Sequence, residues 1–340
     1  MRAAVFDAEH KVISIADLSI PRPGPEELLV RVHRCGVCGS DVSMTGDVPY
    51  GFRSGRFGHE YAGEVIEIGR DITGFKVGDR IAAMPVEPCG VCEYCEWENP
   101  LLCRAPRSVS QGFGEYAVVP SAVAVPLPES LSFADGALIE PMACGNHAMN
   151  IAGLERGSRV LVLGGGAIAL SAIFWARRRG AGRVVALSRS SHRNDIIMAT
   201  GADAVLGFHP EDQVRAAETL GGPPDIVAEC VGKTGMINLA IDLIRPRGTV
   251  LSMGMCMNPE PVLPVRCTYK EARLLFPLGY TLGEFVETAR AFEADRFDPE
   301  KMVSDVIALE DLAVRLSAMR AGESGNLKVH VDPHRSSIYA

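Results

Sequence analysis

No stretch of this chain is long and apolar enough to read as a simple membrane span. The longest uncharged run, residues 160–176, has 17 residues, at the short limit for a helix that needs about 20 to cross a bilayer. Three consecutive glycines, Gly164, Gly165 and Gly166, interrupt it, so a strand, a turn and a helix explain it better. An excess of basic residues is also missing. With 34 Lys and Arg against 42 Asp and Glu, the formal net charge is −8, which argues against general nucleic-acid binding. Any phosphate-bearing ligand must therefore meet a local basic patch. Residues 1–18 carry charges throughout and hold no apolar leader. Ten cysteines in such a chain are expected in a reducing compartment, with the cytoplasm as default. No internal repeat or low-complexity segment is evident.

What is present is a soluble globular composition, 47% hydrophobic and 22% charged, with length enough for two domains. Residues 1–125 read as short strands separated by Gly and Pro, with alternation at 28–33, 60–68 and 115–119. Near residue 150 the character changes. An apolar strand at 159–163 precedes a helical stretch at 167–179, which Gly180 stops. Further strands are expected at 183–187, 225–229 and 249–253. Strands alternating with helices predict a doubly wound parallel sheet. A helical stretch begins near 282, and a last strand is expected at 327–331.

Four cysteines, Cys89, Cys92, Cys95 and Cys103, follow the spacing C-x2-C-x2-C-x7-C. Thiolates this close repel one another, and a bound Zn2+ offsets that repulsion. A closed set of four ligands predicts a structural zinc lobe at 86–106. An iron–sulfur cluster is the sharper rival and ordinary buried thiols the plain one. A second soft-and-hard donor set, Cys38, His59 and Glu140, suggests a metal with different chemistry. Each member has a plainer reading: a core thiol for the cysteine, a helix-start charge for the Glu that precedes Pro141. Cys35 with Cys38 could form a redox pair, though no thioredoxin-like context surrounds them. His147 reads as structural.

The glycine loop fits the dinucleotide fingerprint as G-x-G-x-x-A, with Ala169 in the third place. Gly164 permits the tight turn, and Gly166 lets a pyrophosphate approach the helix N-terminus beside Ile168. NAD enzymes usually carry an acid at the end of the second strand. This chain has Ser188 there, followed by Arg189 and Arg193. Two arginines and no carboxylate favour a 2′-phosphate, so NADP(H) is expected over NAD(H). Val231 and Gly232 are expected near the cofactor; the methionine-rich residues 253–257 read first as core, with the nicotinamide side as the sharper alternative.

The order CGVCGSD at 35–41, GHE at 58–60, the cysteine lobe and then the glycine loop resembles the zinc-dependent medium-chain alcohol dehydrogenases. ALIEP at 137–141 looks most like the sorbitol and threonine dehydrogenase branch. The resemblance implies a mostly antiparallel, GroES-like catalytic domain at 1–150 and 282–340, with a Rossmann domain at 151–281. It implies two Zn2+ per subunit, the catalytic one held by Cys38, His59 and Glu140. Glu60 looks like the family's neighbouring acid, Asp41 like the carboxylate that holds the His59 ring, and Ser40 like the hydroxyl that relays the proton. By residue type alone, Ser40 would be a turn residue. Ser43 stands where many relatives carry a relay histidine. The implied reaction is hydride transfer between the nicotinamide and an alcohol or carbonyl substrate, a secondary alcohol or ketone first, a polyol or amino alcohol as the alternative. A zinc-independent quinone reductase and a catalytically silent cofactor-binding protein are the rivals. Tyr50, Phe52, Phe57, Phe113 and Met142 are pocket candidates. Subunits of a dimer or tetramer are expected to pair through a sheet edge near 274–280.

Overall fold

The computed structural model describes residues 1–294, 298–323 and 325–337. Contacts divide it into two units, Met1–Glu140 with Tyr280–Ala340, and Pro141–Gly279. The first break lies inside the helix Phe133–Ala152, which runs on through Pro141. Glu140 is therefore a mid-helix residue and not a helix-start charge.

The first unit centres on a seven-stranded sheet. Its path is Ala124–Pro126, Arg80–Ala83, Glu60–Ile68, Glu27–Gly36, Lys328–Val331 and Val303–Ile307, with Tyr116–Pro120 also paired to Glu27–Gly36. All pairings are antiparallel except that of the two C-terminal strands. The strand at 60–68 forms where its alternation predicts, but residues 60–63 are all buried. Its inner half lies between two neighbouring strands and is covered on both faces, so the pattern there reflects full burial. Register sets the neighbours of Gly36, which pairs with Glu60 on one side and His330 on the other. A Cβ on Gly36 would lie 2.1 Å from Glu60 Oε2. Only glycine leaves room for that carboxylate.

The second unit carries six parallel strands in the order Ala204–Leu206, Arg183–Leu187, Arg159–Leu163, Ile226–Glu229, Thr249–Ser252 and Arg273–Leu275. Numbered along the unit, the order is 3-2-1-4-5-6, that of a dinucleotide-binding Rossmann sheet. Leu161, Leu163, Val185, Leu187, Val227 and Val250 face one helix layer with Ala216, Leu220, Ala240 and Ile241. The opposite layer includes the helix Ala167–Arg178, whose Ile173 and Trp175 are fully buried. Ser171 and Trp175 each donate a hydrogen bond to the carbonyl of Met142 (2.9 and 2.8 Å). Gly145 permits this close crossing, since a Cβ there would meet Ser171 Oγ at 2.1 Å.

Candidate functional site

The cysteine lobe is a short excursion closed at its base by the strand pair Val86–Glu87 and Arg107–Ser108. The four sulfurs of Cys89, Cys92, Cys95 and Cys103 lie within 4.8 Å of one another. Four of their separations are 3.5, 3.8, 3.9 and 3.9 Å. A tetrahedron of Zn–S bonds of about 2.3 Å has edges of about 3.8 Å. The donor cage therefore fits zinc without movement. The backbone supports anionic sulfur. The N–H of Cys89 points at Cys103 Sγ (3.2 Å), and the N–H of Arg104 heads the groups that bring the Cys92 thiol down to about 6.

The second cluster lies wholly in the first unit. Cys38 follows the strand Glu27–Gly36 and caps the short helix Gly39–Met44. Asp41, at the third helical position, reaches back to accept the Cys38 N–H at 2.9 Å. His59 follows Gly58, whose φ of 91° brings it so close to Phe113 that a Cβ would sit 2.7 Å from the ring. Hydrogen bonds from the N–H groups of Gly112 and Phe113 to the carbonyls of Gly58 and Phe57 pin that segment (2.8 and 3.1 Å). The donor atoms of Cys38, His59 and Glu60 gather within 4.8 Å. Glu140 is not part of that tight group. Its carboxylate accepts a hydrogen bond from the buried Tyr280 hydroxyl at 2.9 Å. Burial, reinforced by Glu60, pushes the Glu140 carboxyl up to about 7, against the pull of His59 and Tyr280.

This cluster has the electrostatics of a cation site. Asp41 is fully buried, and its Oδ1 has no hydrogen bond, facing His59 Nδ1 at 3.4 Å. Burial alone would lower the His59 pKa, yet Asp41 and Cys38 together hold it well above the usual value. Anionic donors that would otherwise draw a proton onto the ring suit a divalent metal on its other nitrogen. Glu60 is also fully buried, and both its oxygens accept from Lys328 Nζ (2.8 and 2.7 Å). Lys328 spends its remaining reach on the carbonyl of Val37 at 3.1 Å. The Ser40 hydroxyl is half-buried and makes no hydrogen bond among the described residues. Ser43 is likewise half-buried.

The glycine loop lies in the second unit, between the strand Arg159–Leu163 and the helix Ala167–Arg178. Gly164 has φ 121°, a region open mainly to glycine. A Cβ on Gly165 would lie 2.7 Å from Ser188 Oγ, whereas Gly166 faces open space at the helix N-terminus. That opening is where an anion meets free N–H groups. Ile168 is half-buried in the first turn, and Arg189 is exposed. Arg193 crosses back to the loop and donates to the Gly165 carbonyl at 3.3 Å. Ser188 is buried at the end of its strand, and no acid stands beside it in sequence. Val231 and Gly232 donate their N–H groups to Glu229 Oε1 (2.6 and 2.8 Å). The N–H groups of Met253 and Gly254 bond the Glu229 carbonyl, so this one buried residue ties two loops together.

Several expectations about side chains change. Cys35 is a fully buried core thiol, its pKa raised well above normal by burial. Phe57 and Phe113 pack edge-on at 4.9 Å in the core, and Met142 is fully buried. Phe57 is 5% exposed and Phe113 and Met142 are fully buried, whereas Tyr50 is 77% exposed. No sequence motif marks Lys328, Tyr280 or His330, and Lys328 stands 268 residues from its partner Glu60.

Residues 24–129 match the alcohol dehydrogenase GroES-like domain, and residues 167–294 match the zinc-binding dehydrogenase domain. Sorbitol dehydrogenase of Gallus gallus is 30% identical over 335 residues, covering 92% of each chain. That of Bacillus subtilis is 26% identical over 98% of each. A zinc-binding dehydrogenase of Sinorhizobium meliloti, solved with NADP bound, has a TM-score of 0.86 at 29% identity, covering 98% of this chain and 99% of that one. The fold and these matches define a GroES-like domain joined to a Rossmann domain in an oxidoreductase family. The chain belongs to the zinc-dependent medium-chain alcohol dehydrogenases, on the sorbitol dehydrogenase-like branch.

Proposed function

We propose that this protein is a zinc-dependent, NADP(H)-linked dehydrogenase that interconverts a secondary hydroxyl and a ketone on a polyol-type substrate. The observation that carries the reaction class is the convergence of Cys38, His59 and Glu60 donor atoms within 4.8 Å, in a chain that also has a dinucleotide loop. Cys38, His59 and Glu60 would hold the catalytic zinc, and the four cysteines of the lobe a structural one. When bound, zinc supplies a Lewis acid that eases loss of the alcohol proton, and the nicotinamide supplies the hydride acceptor. The chain's own residues do the positioning. Asp41 faces the inner nitrogen of His59, and Lys328 neutralises the acid of Glu60. Ser40, two residues beyond Cys38, has a free hydroxyl to take the alcohol proton. Ser43 offers no imidazole, so water carries that proton outward.

The substrate class depends on what the core removes. Phe57, Phe113 and Met142 are buried in packing, which gives an apolar cleft built on them less support. The sequence relatives include sorbitol dehydrogenases and D-xylulose reductases, which favours a polyol. Cofactor preference rests on Arg193 across the Gly165 carbonyl, exposed Arg189, and Ser188 where an acid would repel a 2′-phosphate.

The test is a spectrophotometric panel of NADP+ and NAD+ against polyols and simple secondary alcohols. The expected kcat/KM is higher with NADP+ and for polyols, and Ser188→Asp should move the preference toward NAD+ by about ten-fold or more. A wild-type preference for NAD+ overturns the cofactor reading. Activity that survives complete chelation would mean a zinc-independent reductase, and no turnover across the panel would mean a silent cofactor-binding protein. Subunit pairing is proposed through the edge strand Arg273–Leu275, beside which Phe276 and Leu278 are exposed. A monomer mass by light scattering overturns that pairing.

A further inference from the structure

The glycine loop lies at the C-terminal end of the strand Arg159–Leu163. The opposite end of the same sheet has its own depression, of about 280 Å³. It is bounded by the starts of the strands Ile226–Glu229, Thr249–Ser252 and Arg273–Leu275 and by the loop after the helix Phe133–Ala152. Four arginines line it: Arg156, Arg245, Arg247 and Arg273. Two acids share the lining, Glu155 and Asp225. Asp225 is already satisfied. Despite its partial burial, hydrogen bonds from Arg159 and Arg245 hold its carboxyl down to about 2. A basic hollow on a chain of net charge −8 is the local exception.

One backbone feature brings an arginine to the rim: Arg247 is one of four non-glycine residues with positive φ among the described residues, with Lys11, Glu98 and Glu271, and its N–H is held by the Lys270 carbonyl at 2.6 Å. Residues 245–248 form a tight turn, with the Gly248 N–H bonded to the Arg245 carbonyl at 3.1 Å. Pro246 occupies its second position, and Arg247 its third with φ 60°. A turn with proline second and a positive φ third calls for glycine. The chain places an arginine there instead. Its ion-pair partner Glu271, 3.4 Å away, is as exposed as Arg247 itself (side chains 75% and 80%), so that pair gives little back. The turn leaves the Arg247 side chain 80% exposed among the lining residues of the depression.

Of the other arginines, Arg273 has donors to spare. Arg273 donates from one nitrogen to the Ala152 carbonyl at 3.1 Å, leaving most of its five N–H groups for a ligand. Arg245 uses Asp225 and the Pro246 carbonyl. Thr249, in the lining, is 1% exposed, and its hydroxyl has no hydrogen-bond partner among the described residues. A cluster of planar guanidinium groups suits the oxygens of a phosphate. The volume exceeds what a bare ion requires, since a water occupies about 30 Å³.

We propose that this depression is a second binding site, separate from the nucleotide loop, for the phosphate group of a small phosphorylated metabolite. Arg247 and Arg273 are its principal contacts.

The test is titration calorimetry and thermal melting of the full-length protein with inorganic phosphate, against chloride at matched ionic strength. Arg247→Gly is the informative variant, because glycine relieves the positive φ and should leave the fold at least as stable. The wild type should bind phosphate and melt higher in it. Arg247→Gly should weaken that binding by about ten-fold or more, without a lower melting temperature in chloride. Arg273→Gln should weaken it similarly. Phosphate held at the nucleotide loop would be untouched by either change. Unaltered affinity in Arg247→Gly, or a wild type that does not bind phosphate, overturns the proposal.

Discussion

Lys328 shows how a single residue sets the character of the cluster of Cys38, His59 and Glu60. A buried carboxylate beside a thiolate and an imidazole would be costly if left without a counter-charge. Lys328 supplies it, itself only 4% exposed, with a pKa that Glu60 and Cys38 raise despite burial. Zinc bound to Glu60 would share the same task. Lys328→Met should therefore destabilise metal-free protein by about 3–5 kcal/mol, and zinc-loaded protein by clearly less. Urea unfolding with and without chelator measures both, and an equal loss in the two states would separate Lys328 from the metal. None of this is legible from the residues. GHE at 58–60 suggests a metal-binding histidine with an adjacent acid, but nothing local to Lys328 distinguishes it from a surface lysine. Glu140 is the converse case. Its motif suggests a ligand, yet its oxygen lies with Tyr280, while Glu60 takes the place in the tight donor group.

At the scale of elements, legibility tracks sequence separation. The cysteine lobe is encoded within fifteen residues, so its spacing alone brings four sulfurs to tetrahedral separations. The turn from the strand Arg159–Leu163 into the helix Ala167–Arg178 is equally local, and its glycines can be read directly. Long-range elements are less open. The alternation at 28–33 identifies a strand, but the observed strand Glu27–Gly36 extends further because three neighbours pair with it. The lobe carries a prediction of its own. On the proposed two-zinc reading, Cys92→Ser should reduce bound zinc from two to one per chain by elemental analysis, and lower the melting temperature, because metal bound in the lobe would contribute directly to folding. Two zinc ions retained in that variant would remove the lobe from the metal count.

At the scale of the whole molecule, stability is expected to depend on pH through buried His330 and the paired Asp225. His330 is fully buried, neither ring nitrogen has a hydrogen bond among the described residues, and burial, helped by Lys328 and Arg34, pushes its pKa down to about 3. The folded state thus refuses a proton that the unfolded chain accepts below about 6.5. Stability should fall as pH drops through that value and keep falling toward 3, by roughly 2 kcal/mol between pH 7 and 5 from this residue alone. Below about pH 4 the paired carboxylate of Asp225 adds a second loss in the same direction, complete near its folded value of about 2. Denaturant midpoints from pH 7 to 5 test the first window. His330→Leu should flatten that slope, and an unchanged slope would place the acid sensitivity elsewhere.

The sequence by itself determined what depends on near neighbours: the four-sulfur cage, the glycine turn and its helix, the alternation of strands and helices, and the missing acid at Ser188. Backbone geometry and charge act over a few residues there, so spacing is enough. Tertiary structure alone decided which distant groups share a site. It brought Lys328 to Glu60 and Tyr280 to Glu140, buried His330 beside Gly36, and gathered four arginines below the parallel sheet. Those contacts arise from strand register and sheet order, and one-dimensional spacing carries no distance between residues that only folding makes adjacent.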